Sequence, residues 1–571
     1  MKKIILTAVL AAALAAAPTV LADELTATPT ESSVYINDDE YTLDAYNING
    51  NNYFKLRDLA AALSGTDSNF DVLWNEAENR IELTTGTDYT GEHSQTQNYR
   101  NPSAAQPTSS VLVIDGQTAD IAAYNINDNN YYKLRDLGNV IPFDVYWVEN
   151  KNAVCIYTLS DQTAVLSQSS GGSTRYMNKS VSTRRYQNPL RSYIYQNDPD
   201  SFVVVDVDGG DDTELVITAD TYNGDTYELI GSARIEAELP IFGGFYAGEH
   251  YNYMVFGQEN TEENDSKEVI RIVKYDKSFN RISSASVTGG ESFTVTPFHA
   301  GSLRMSENGS ELVIHTSRER YMTDDGLNHQ SQLTIILNTD TMTVENYLGE
   351  FQSNHVSHSF NQFVLHDGDT RVLLDHGDAY PRAVVMNRSN GDDTYDTTIL
   401  FSIPGETGDN TTGVSIGGFA AGENNYIAAI NTIDHNAPQE NTLSMMTNSN
   451  EERDLILLIS AKENTDENSV KQIRLTDYIE NNKCASLPYL VDLNNGRFMV
   501  IWEEYELVGY SMESNGVKYA VTDENGNISG EIASVPDARL SADCQPVINN
   551  GSVIWYINSI AGRMFYKLPS M

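Results

Sequence analysis

One stretch of this 571-residue chain occurs twice with little change, and this repeat constrains the fold more than any other feature. Tyr46-Asn-Ile-Asn-Gly-Asn-Asn-Tyr-Phe-Lys-Leu-Arg-Asp-Leu59 returns as Tyr124-Asn-Ile-Asn-Asp-Asn-Asn-Tyr-Tyr-Lys-Leu-Arg-Asp-Leu137. Each copy is followed by a similar apolar run, Phe70–Trp74 in the first and Phe143–Trp147 in the second. A near-copy of this length indicates a duplicated structural unit. The front of the chain is therefore predicted to hold two copies of one small module.

The module is predicted to be α+β, with repeat 1 over 30–85 and repeat 2 over 108–158. Its Asn-rich run is typical of a hairpin turn, because Asn and Gly tolerate positive φ. A short helix and two short strands follow. The expected core of the first copy is Tyr53, Leu56, Leu59 and Trp74. Arg57 and Asp58 are interpreted as a solvated pair on the helix surface.

The turn, the Tyr-Phe-Lys-Leu-Arg-Asp-Leu run and the strand that ends in Trp resemble the copper amine oxidase N-terminal-like domain, also called the stalk domain. The resemblance covers about 34–85 and 111–157. In that family the domain is an appendage without catalytic residues, common on secreted proteins of Gram-positive bacteria, so the resemblance implies a surface or secreted setting.

The resemblance does not extend to oxidase chemistry. Thr343–Leu348 departs at its last position from the quinone-forming motif Thr-x-x-Asn-Tyr-Asp/Glu. His355 and His358 are one residue too far apart for the family's His-x-His copper pair, which a strand would place on one face. An active copper amine oxidase is therefore excluded.

The start of the chain predicts export. Met1-Lys2-Lys3 precedes an apolar, alanine-rich run, and small residues follow at a cleavage site, so 1–22 is interpreted as a signal peptide. The formal net charge of −44 argues against nucleic acid as a partner. No later stretch is apolar enough to span a membrane. The predicted location is extracellular or associated with the cell wall, with a wall, glycan or protein ligand as the partner.

The rest of the chain predicts a β-propeller over 199–571, after linkers at 86–107 and 159–198. Short β runs alternate with Gly, Asn and Asp turns. Gly243–Glu249 recurs as Gly417–Glu423, as expected for a motif that opens a propeller blade. Six to eight blades fit the length, and seven are favoured; a pair of β-sandwiches is the alternative. The predicted fold class is thus mostly β.

Histidine and arginine are concentrated in the middle of the propeller region. We hypothesise that loops bring several of them into one pocket for a polar or anionic ligand or a metal. The alternative is that they satisfy buried carbonyls and carboxylates between blades. The residues are His315, Arg318, Arg320, His329, His355, His358, His376, Asp378 and Arg382.

Three smaller motifs complete the candidate sites. An acidic loop resembles the Asp-x-Asp-Gly calcium loops of FG-GAP-type propeller repeats, although Gly210 stands where the family has a third Asp; a plain acidic turn is the alternative. The cation ligands would be Asp206, Asp208, Asp212 and Glu214. Ser415 lies in a Gly-x-Ser-x-Gly sequence, but no helix signal follows it, which argues against a nucleophile elbow.

The cysteines allow one disulfide. Cys484 and Cys544 each precede a turn and an apolar strand of successive blades, so that they could pair in an exported protein. Two buried thiols are the alternative, and Cys155 is expected to be buried.

The favoured interpretation is an exported, non-enzymatic binding protein in which the duplicated modules present a propeller. No catalytic residue and no cofactor other than calcium is predicted. Two alternatives stay open: a propeller hydrolase or lyase acting on extracellular polysaccharide or peptide, and a structural surface-layer component.

Overall fold

The computed structural model describes residues 25–91, 101–158, 163–171, 187–210, 213–391, 393–436, 452–509 and 511–569. The chain divides into two compact units, 1–157 and 158–571. Both are built mainly from antiparallel β-strands, which confirms the mostly β fold class. The predicted signal peptide over 1–22 lies outside the described residues. Within the described part of the chain, the helices are too short or too polar to cross a bilayer.

The first unit contains fourteen described strands and two short helices. They are β1 Leu25–Pro29, β2 Ser33–Ile36, β3 Asp39–Tyr41, β4 Ala45–Ile48, β5 Asn51–Lys55, α1 Leu56–Leu63, β6 Phe70–Asn75, β7 Arg80–Thr85, β8 Ser103–Pro107, β9 Val111–Ile114, β10 Gln117–Ala119, β11 Ala123–Ile126, β12 Asn129–Lys133, α2 Leu134–Leu137, β13 Asp144–Val148 and β14 Ala153–Tyr157.

The two repeats interlock instead of folding side by side. Six strands close a barrel in the order β1-β4-β5-β12-β11-β8, three from each half of the unit. The other two sheets are also shared, because β7 pairs in parallel with β9 and β14 pairs in parallel with β2. One apolar core therefore contains side chains of both copies. This matches the small size of each copy, which is too short to bury an adequate core alone.

The predicted division of this unit differs from the structure at the first linker. The range 86–107 includes β8, which pairs with β1 and β11 in the barrel. Its sequence, Ser-Ala-Ala-Gln-Pro, has no strand signal of its own, and the pairing partners lie in other parts of the sequence. The linker assignment is therefore corrected for 103–107, and the repeats form one unit.

The Asn-rich runs form the hairpin turns that the sequence predicts. Asn49 and Gly50 have φ of 52° and 80°, and Asn127 and Asp128 have φ of 51° and 61°. Positive φ at both central residues suits a tight hairpin with the twist of its strands. Trp74, which was expected in the core, is 44% exposed instead, because β6 is an edge strand.

The second unit contains β15–β44 and one helical turn. They are β15 Ala164–Ser167, β16 Ser192–Asp198, β17 Ser201–Gly210, β18 Thr213–Asn223, β19 Leu229–Ile235, β20 Ile241–Ala247, β21 Asn252–Gly257, β22 Glu268–Tyr275, β23 Arg281–Thr288, α3 Gly289–Ser292, β24 Thr294–Pro297, β25 Leu303–Asn308, β26 Glu311–Met322, β27 Asn328–Asn338, β28 Thr343–Val344, β29 Ser357–Asp367, β30 Thr370–Ala379, β31 Arg382–Ser389, β32 Tyr395–Ser402, β33 Val414–Ala421, β34 Asn425–Thr432, β35 Asp454–Ala461, β36 Lys471–Arg474, β37 Lys483–Ala485, β38 Tyr489–Asp492, β39 Arg497–Val508, β40 Ser511–Asp523, β41 Ala533–Val535, β42 Val547–Asn549, β43 Ser552–Asn558 and β44 Arg563–Pro569.

These strands form successive up-and-down sheets, as in a β-propeller. The first strands of neighbouring sheets contact one another: β42 with β16, β20 with β25, β25 with β29, β29 with β33, and β33 with β38. The recurring Gly-Gly-Phe motif lies in β20 and β33, both of them first strands with a register shift at the glycines. A Cβ on Gly417 would lie 1.6 Å from the Pro488 carbonyl oxygen, so the next sheet excludes any side chain there.

The ring closes by joining the two ends of the unit. β15 pairs with β44, so that the sheet order β15-β44-β43-β42 combines the first strand of the unit with the last three. β15 and β16 both lie within the predicted linker 159–198, which corrects the start of the propeller from 199 to the strand at 164. The number of blades stays a prediction: β24–β32 form one nine-stranded sheet, and dividing it at its single Ser331–Ser357 pair would give seven.

Candidate functional site

The predicted His/Arg pocket is not one pocket. Its residues lie in and around the nine-stranded sheet, but they separate into a buried network and an exposed end of that sheet. Each part has its own hydrogen-bond partners.

His315 belongs to a buried network across β26, β27, β29 and β30. Its Nδ1 lies 3.0 Å from Thr334 Oγ1 and its Nε2 lies 3.1 Å from Asp375 Oδ2. Ser359 donates to the other oxygen of Asp375 at 2.5 Å. All four side chains are almost completely buried. The carboxylate stands between the serine and the histidine, so that the imidazole cannot act as a base on the hydroxyl, and the network connects strands.

His376 and Arg382 support the chain segment that leads to β33. His376 Nε2 lies 2.9 Å from Thr412 Oγ1, and burial, together with the charges of Arg382 and Arg453, lowers the pKa of His376 to about 3. Arg382 donates to the carbonyl oxygens of Pro404 at 3.0 Å and of two residues further along that segment. Both side chains satisfy internal groups.

Arg318 is buried without a carboxylate. Its guanidinium donates to carbonyl oxygens of Ser292, Gln332, Gly349 and Glu350 and to the Ser331 hydroxyl, at 2.8–3.1 Å. Burial and the neighbouring Arg320 lower the pKa of Arg318 to about 9, which leaves it charged at neutral pH. It holds three backbone segments together and is only 1% exposed.

The other residues lie where β27 and β29 begin and β30 ends, which we call the histidine end. Here the rings of His329 and His358 lie 6.5 Å apart with a 24° interplanar angle. His329 Nε2 lies 2.6 Å from Asp325 Oδ2, and His358 Nδ1 lies 2.9 Å from Asp378 Oδ1. Each imidazole is 30% exposed. Hydrogen bonds from Thr323, His329 and the Leu327 backbone lower the pKa of Asp325 to about 2.

Exposed apolar side chains lie on the two turns next to this pair. Met322 and Leu327 flank the β26–β27 turn and are 58% and 59% exposed, and Tyr380 on the β30–β31 turn is 75% exposed. Sequence reasoning missed all three because it selected polar residues. The available signal was an Asp-Asp-Gly turn flanked by Met and Leu, since apolar residues beside a turn are seldom left on the surface without a partner.

Arg320 lies near the same turn with part of its hydrogen-bonding capacity unused. It is 3% exposed, and its guanidinium lies 4.2 Å from the ring centre of Phe351. Glu350 is 3.6 Å away, beyond hydrogen-bond range. Within the described part of the chain, neither Nε nor Nη1 of Arg320 has a hydrogen-bond partner, nor has His355 Nε2. Burial and the charges of Arg320 and Arg318 lower the pKa of His355 to about 4, so that it is neutral at pH 7.

The predicted calcium loop is not a cation site at Asp206. This buried carboxylate accepts hydrogen bonds from Ser192, Tyr556, Asn558 and Arg563 at 2.6–3.1 Å. Burial raises the pKa of Asp206, but the charge of Arg563 and these hydrogen bonds outweigh it, and the pKa is lowered overall. Its oxygens are thus already used, which corrects the assignment.

The other predicted calcium ligands do not form a cation site either. Glu214 is exposed, 3.7 Å from Arg234, and Asp212 lies outside the described residues. Asp208, two residues beyond Asp206 on β17, is partly buried. Among the described residues, no three or more His, Cys, Asp or Glu side chains form a cluster suited to a metal.

The predicted disulfide is also corrected. Cys484 and Cys544 are both buried thiols. Cys484 lies on β37, opposite Tyr505, whereas Cys544 packs with Phe202, Ile554 and Tyr556 between the first and last sheets. They occupy different parts of the core, and burial raises the pKa of the Cys544 thiol. Ser415 is buried within β33, not on a turn.

Comparisons with known proteins give similarity to solved structures alone. No protein-family model and no curated protein matches the chain. Among solved structures, the N-terminal domain of Nup159 is similar at 11% identity and a TM-score of 0.36, over 71% of this chain and 95% of that one. The β-propeller domain of the Trilobed protease from Pyrococcus furiosus has 11% identity and a TM-score of 0.36, over 67% and 98%.

A third similar structure is α-L-arabinofuranosidase from Lactobacillus brevis, with 10% identity and a TM-score of 0.30, over 52% of this chain and 94% of that one. At such identities and scores, neither the activities nor the partners of these proteins transfer to this chain.

Proposed function

We propose that the chain is an exported binding protein, extracellular or held at the cell wall, whose propeller engages its ligand at the histidine end. One observation carries the proposal: the exposed His329–His358 pair is bordered by exposed apolar side chains on two turns. Imidazoles offer hydrogen-bond donors and acceptors, and the apolar rim excludes water around them, an arrangement typical of recognition surfaces. The ligand would be a wall polymer, glycan or protein that combines hydrogen-bonding groups with apolar surface.

Binding is favoured over catalysis by how the remaining candidates are used. The side chains of His315, Asp375 and His376 are buried and have internal hydrogen-bond partners. The stalk-type resemblance of the repeats supports export and surface presentation, because that family is an appendage of secreted proteins.

The test is an array of cell-wall polymers, glycans and extracellular proteins probed with the mature chain. Replacing His329, His358 and Tyr380 together by Ala should reduce binding to the captured ligand at least tenfold. The matched control is His250→Ala, an imidazole that is 74% exposed elsewhere on the propeller and should bind normally. Equal binding by the triple variant and the control, with unchanged melting temperatures, would contradict the proposal. So would turnover of any array component by the wild type, which would favour an enzyme.

A further inference from the structure

The first unit contains two grooves that are built from equivalent residues of the two repeats. The first, of about 740 Å³, combines the Asn-rich turn of repeat 1 with the helix start and Trp strand of repeat 2. The second, of about 540 Å³, combines the turn of repeat 2 with the helix start and Trp strand of repeat 1. Because the repeats interlock, each groove combines the turn of one repeat with the helix start and Trp strand of the other, and the same groove is formed twice.

An exposed tryptophan lies in each groove. Trp147 in the first groove is 48% exposed and Trp74 in the second is 44% exposed. Each lies on an edge strand, β13 or β6. A large ring left half in water twice, at equivalent positions, is not explained by packing, because Trp normally contributes its whole area to a core or an interface. About half of each tryptophan side chain is therefore accessible to a ligand.

An arginine accompanies each tryptophan. Arg135 lines the first groove and Arg57 the second, and both are exposed. Among the described residues neither forms an ion pair, whereas the neighbouring Lys55 contacts Asp44 and Asp58. Lys133 and Glu31 line the first groove with Arg135, and Lys55 and Asp128 line the second with Arg57, so that each groove carries two cations and one carboxylate in a chain whose net charge is −44. An exposed arginine without an ion pair is available at short range to the carboxylate of a ligand.

Amide side chains at equivalent positions also line both grooves. In the first groove Asn47 Nδ2 donates to Asn52 Oδ1 at 3.1 Å, and in the second Asn125 Nδ2 donates to Asn130 Oδ1 at 3.5 Å. Asn52 Oδ1 also accepts from Thr30 Oγ1 at 3.1 Å, so that the amides offer the groove chiefly their unused N–H groups. Amide N–H groups suit the hydroxyl groups of a sugar, and an exposed indole suits the apolar face of a sugar ring.

We propose that the first unit binds a carboxylate-bearing oligosaccharide, with one segment of the saccharide in each groove. The tryptophan stacks on a sugar ring, the amides bind hydroxyl groups, and the arginine pairs with a uronate carboxylate. Two copies of one site suit a ligand that repeats its chemistry, as a polysaccharide does at regular intervals. Two sites on one unit also strengthen binding to such a polymer by effective concentration.

The test is titration of the mature chain with oligogalacturonate and with hyaluronate oligosaccharides. Tryptophan fluorescence and calorimetry measure the binding. We expect two sites per chain for short oligomers. Trp74→Ala or Trp147→Ala should reduce the number of sites from two to one, and the double variant should not bind. Arg57→Gln with Arg135→Gln should weaken binding at least tenfold and remove the preference over neutral maltohexaose. Tyr41→Ala, an exposed aromatic residue of the same unit outside both grooves, is the matched control.

Several outcomes would overturn the proposal. These are no binding of either uronate, an unchanged site number in Trp74→Ala, or equally tight binding of poly-L-glutamate, which would indicate a peptide site. The histidine-end triple variant should bind the uronates normally. Failure of this proposal therefore leaves the propeller proposal standing, and the reverse also holds.

Discussion

The four tryptophans of the chain divide evenly between its two units and are used in opposite ways. Trp502 and Trp555 in the propeller are completely buried, and their Nε1 atoms donate to Tyr478 Oη at 3.0 Å and to the Arg539 carbonyl at 2.8 Å. The two tryptophans of the first unit are about half exposed.

Strand position explains this difference. The buried pair lies on β39 and β43, each of which has a paired strand on both sides. The exposed pair lies on β6 and β13, which end their sheets. Edge position leaves only part of such a strand exposed, since Phe70 and Val72 on β6 are buried and Trp74 near its end is not. An aromatic residue on an edge strand is therefore a candidate binding residue before it is a candidate for the core.

The largest expected effect tests the contrast between the buried and the exposed tryptophans. Trp502→Ala should lower the free energy of unfolding of the propeller by about 3–5 kcal/mol, because it leaves a cavity and an unpaired tyrosine hydroxyl. Trp147→Ala should lower that of the first unit by less than about 1 kcal/mol. Urea denaturation followed by circular dichroism measures both, and similar losses in the two variants would show that the exposed tryptophans are structural.

The next effect concerns how the propeller closes. The Arg563 guanidinium on β44 donates hydrogen bonds to Asp206 Oδ2 at 2.6 Å and to Asp220 Oδ2 and Tyr222 Oη at 2.7 Å each. These bonds connect the last sheet to the first. Arg563→Met should cost about 3 kcal/mol, since it leaves two buried carboxylates without their cation.

The first unit closes through a barrel and should not respond to this change. Arg371→Met, which removes a partly exposed pair with Glu311, is the control and should cost less than about 1 kcal/mol. An Arg563 variant as stable as this control would show that strand pairing alone closes the ring.

A smaller effect separates the units by pH. In the first unit, burial and the nearby Asp58 raise the pKa of Asp44 to about 6. The folded unit therefore holds a proton that the unfolded chain releases, and its stability should fall as pH rises from about 4 to 6. In the propeller the lowered pKa values of His355 and His376 have the opposite sign: the unfolded chain binds the protons first, so that stability should fall as pH drops from about 6.5 to 4.

Differential scanning calorimetry between pH 4 and 6.5 should show the two transitions moving in opposite directions. Asp44→Asn should flatten the trend of the first unit, and His376→Gln should reduce that of the propeller. Parallel movement of both transitions would contradict the assignment of these groups.

The smallest expected effect is that of removing the first unit. Each unit has its own core clusters, so deletion of 25–157 should leave the melting temperature of the propeller within about 2 °C. The isolated propeller is then compared with the full chain by calorimetry. Loss of a cooperative transition would show that the propeller depends on the first unit.

Much of the fold could be predicted because it is local in sequence. The repeat, its Asn-rich turns and the Gly-Gly-Phe strands carry their own signals. The candidate site could be predicted only in part: His329 and His358 do meet at a surface, but His315 and His376 are buried beside partners such as Asp375 and Thr412. Composition placed these histidines in one region without indicating which of them would face water.

The sequence by itself determined the duplication, the turns and the mostly β class, because each depends on neighbouring residues and backbone preferences. Only the tertiary structure decided that β15 would pair with β44 and that two tryptophans would remain exposed. It also decided that Asp206, predicted to bind calcium, would pair with Arg563 instead. These outcomes depend on partners more than a hundred residues away, or on which strand ends a sheet. Such contacts leave no periodic signal, since only folding brings the groups together.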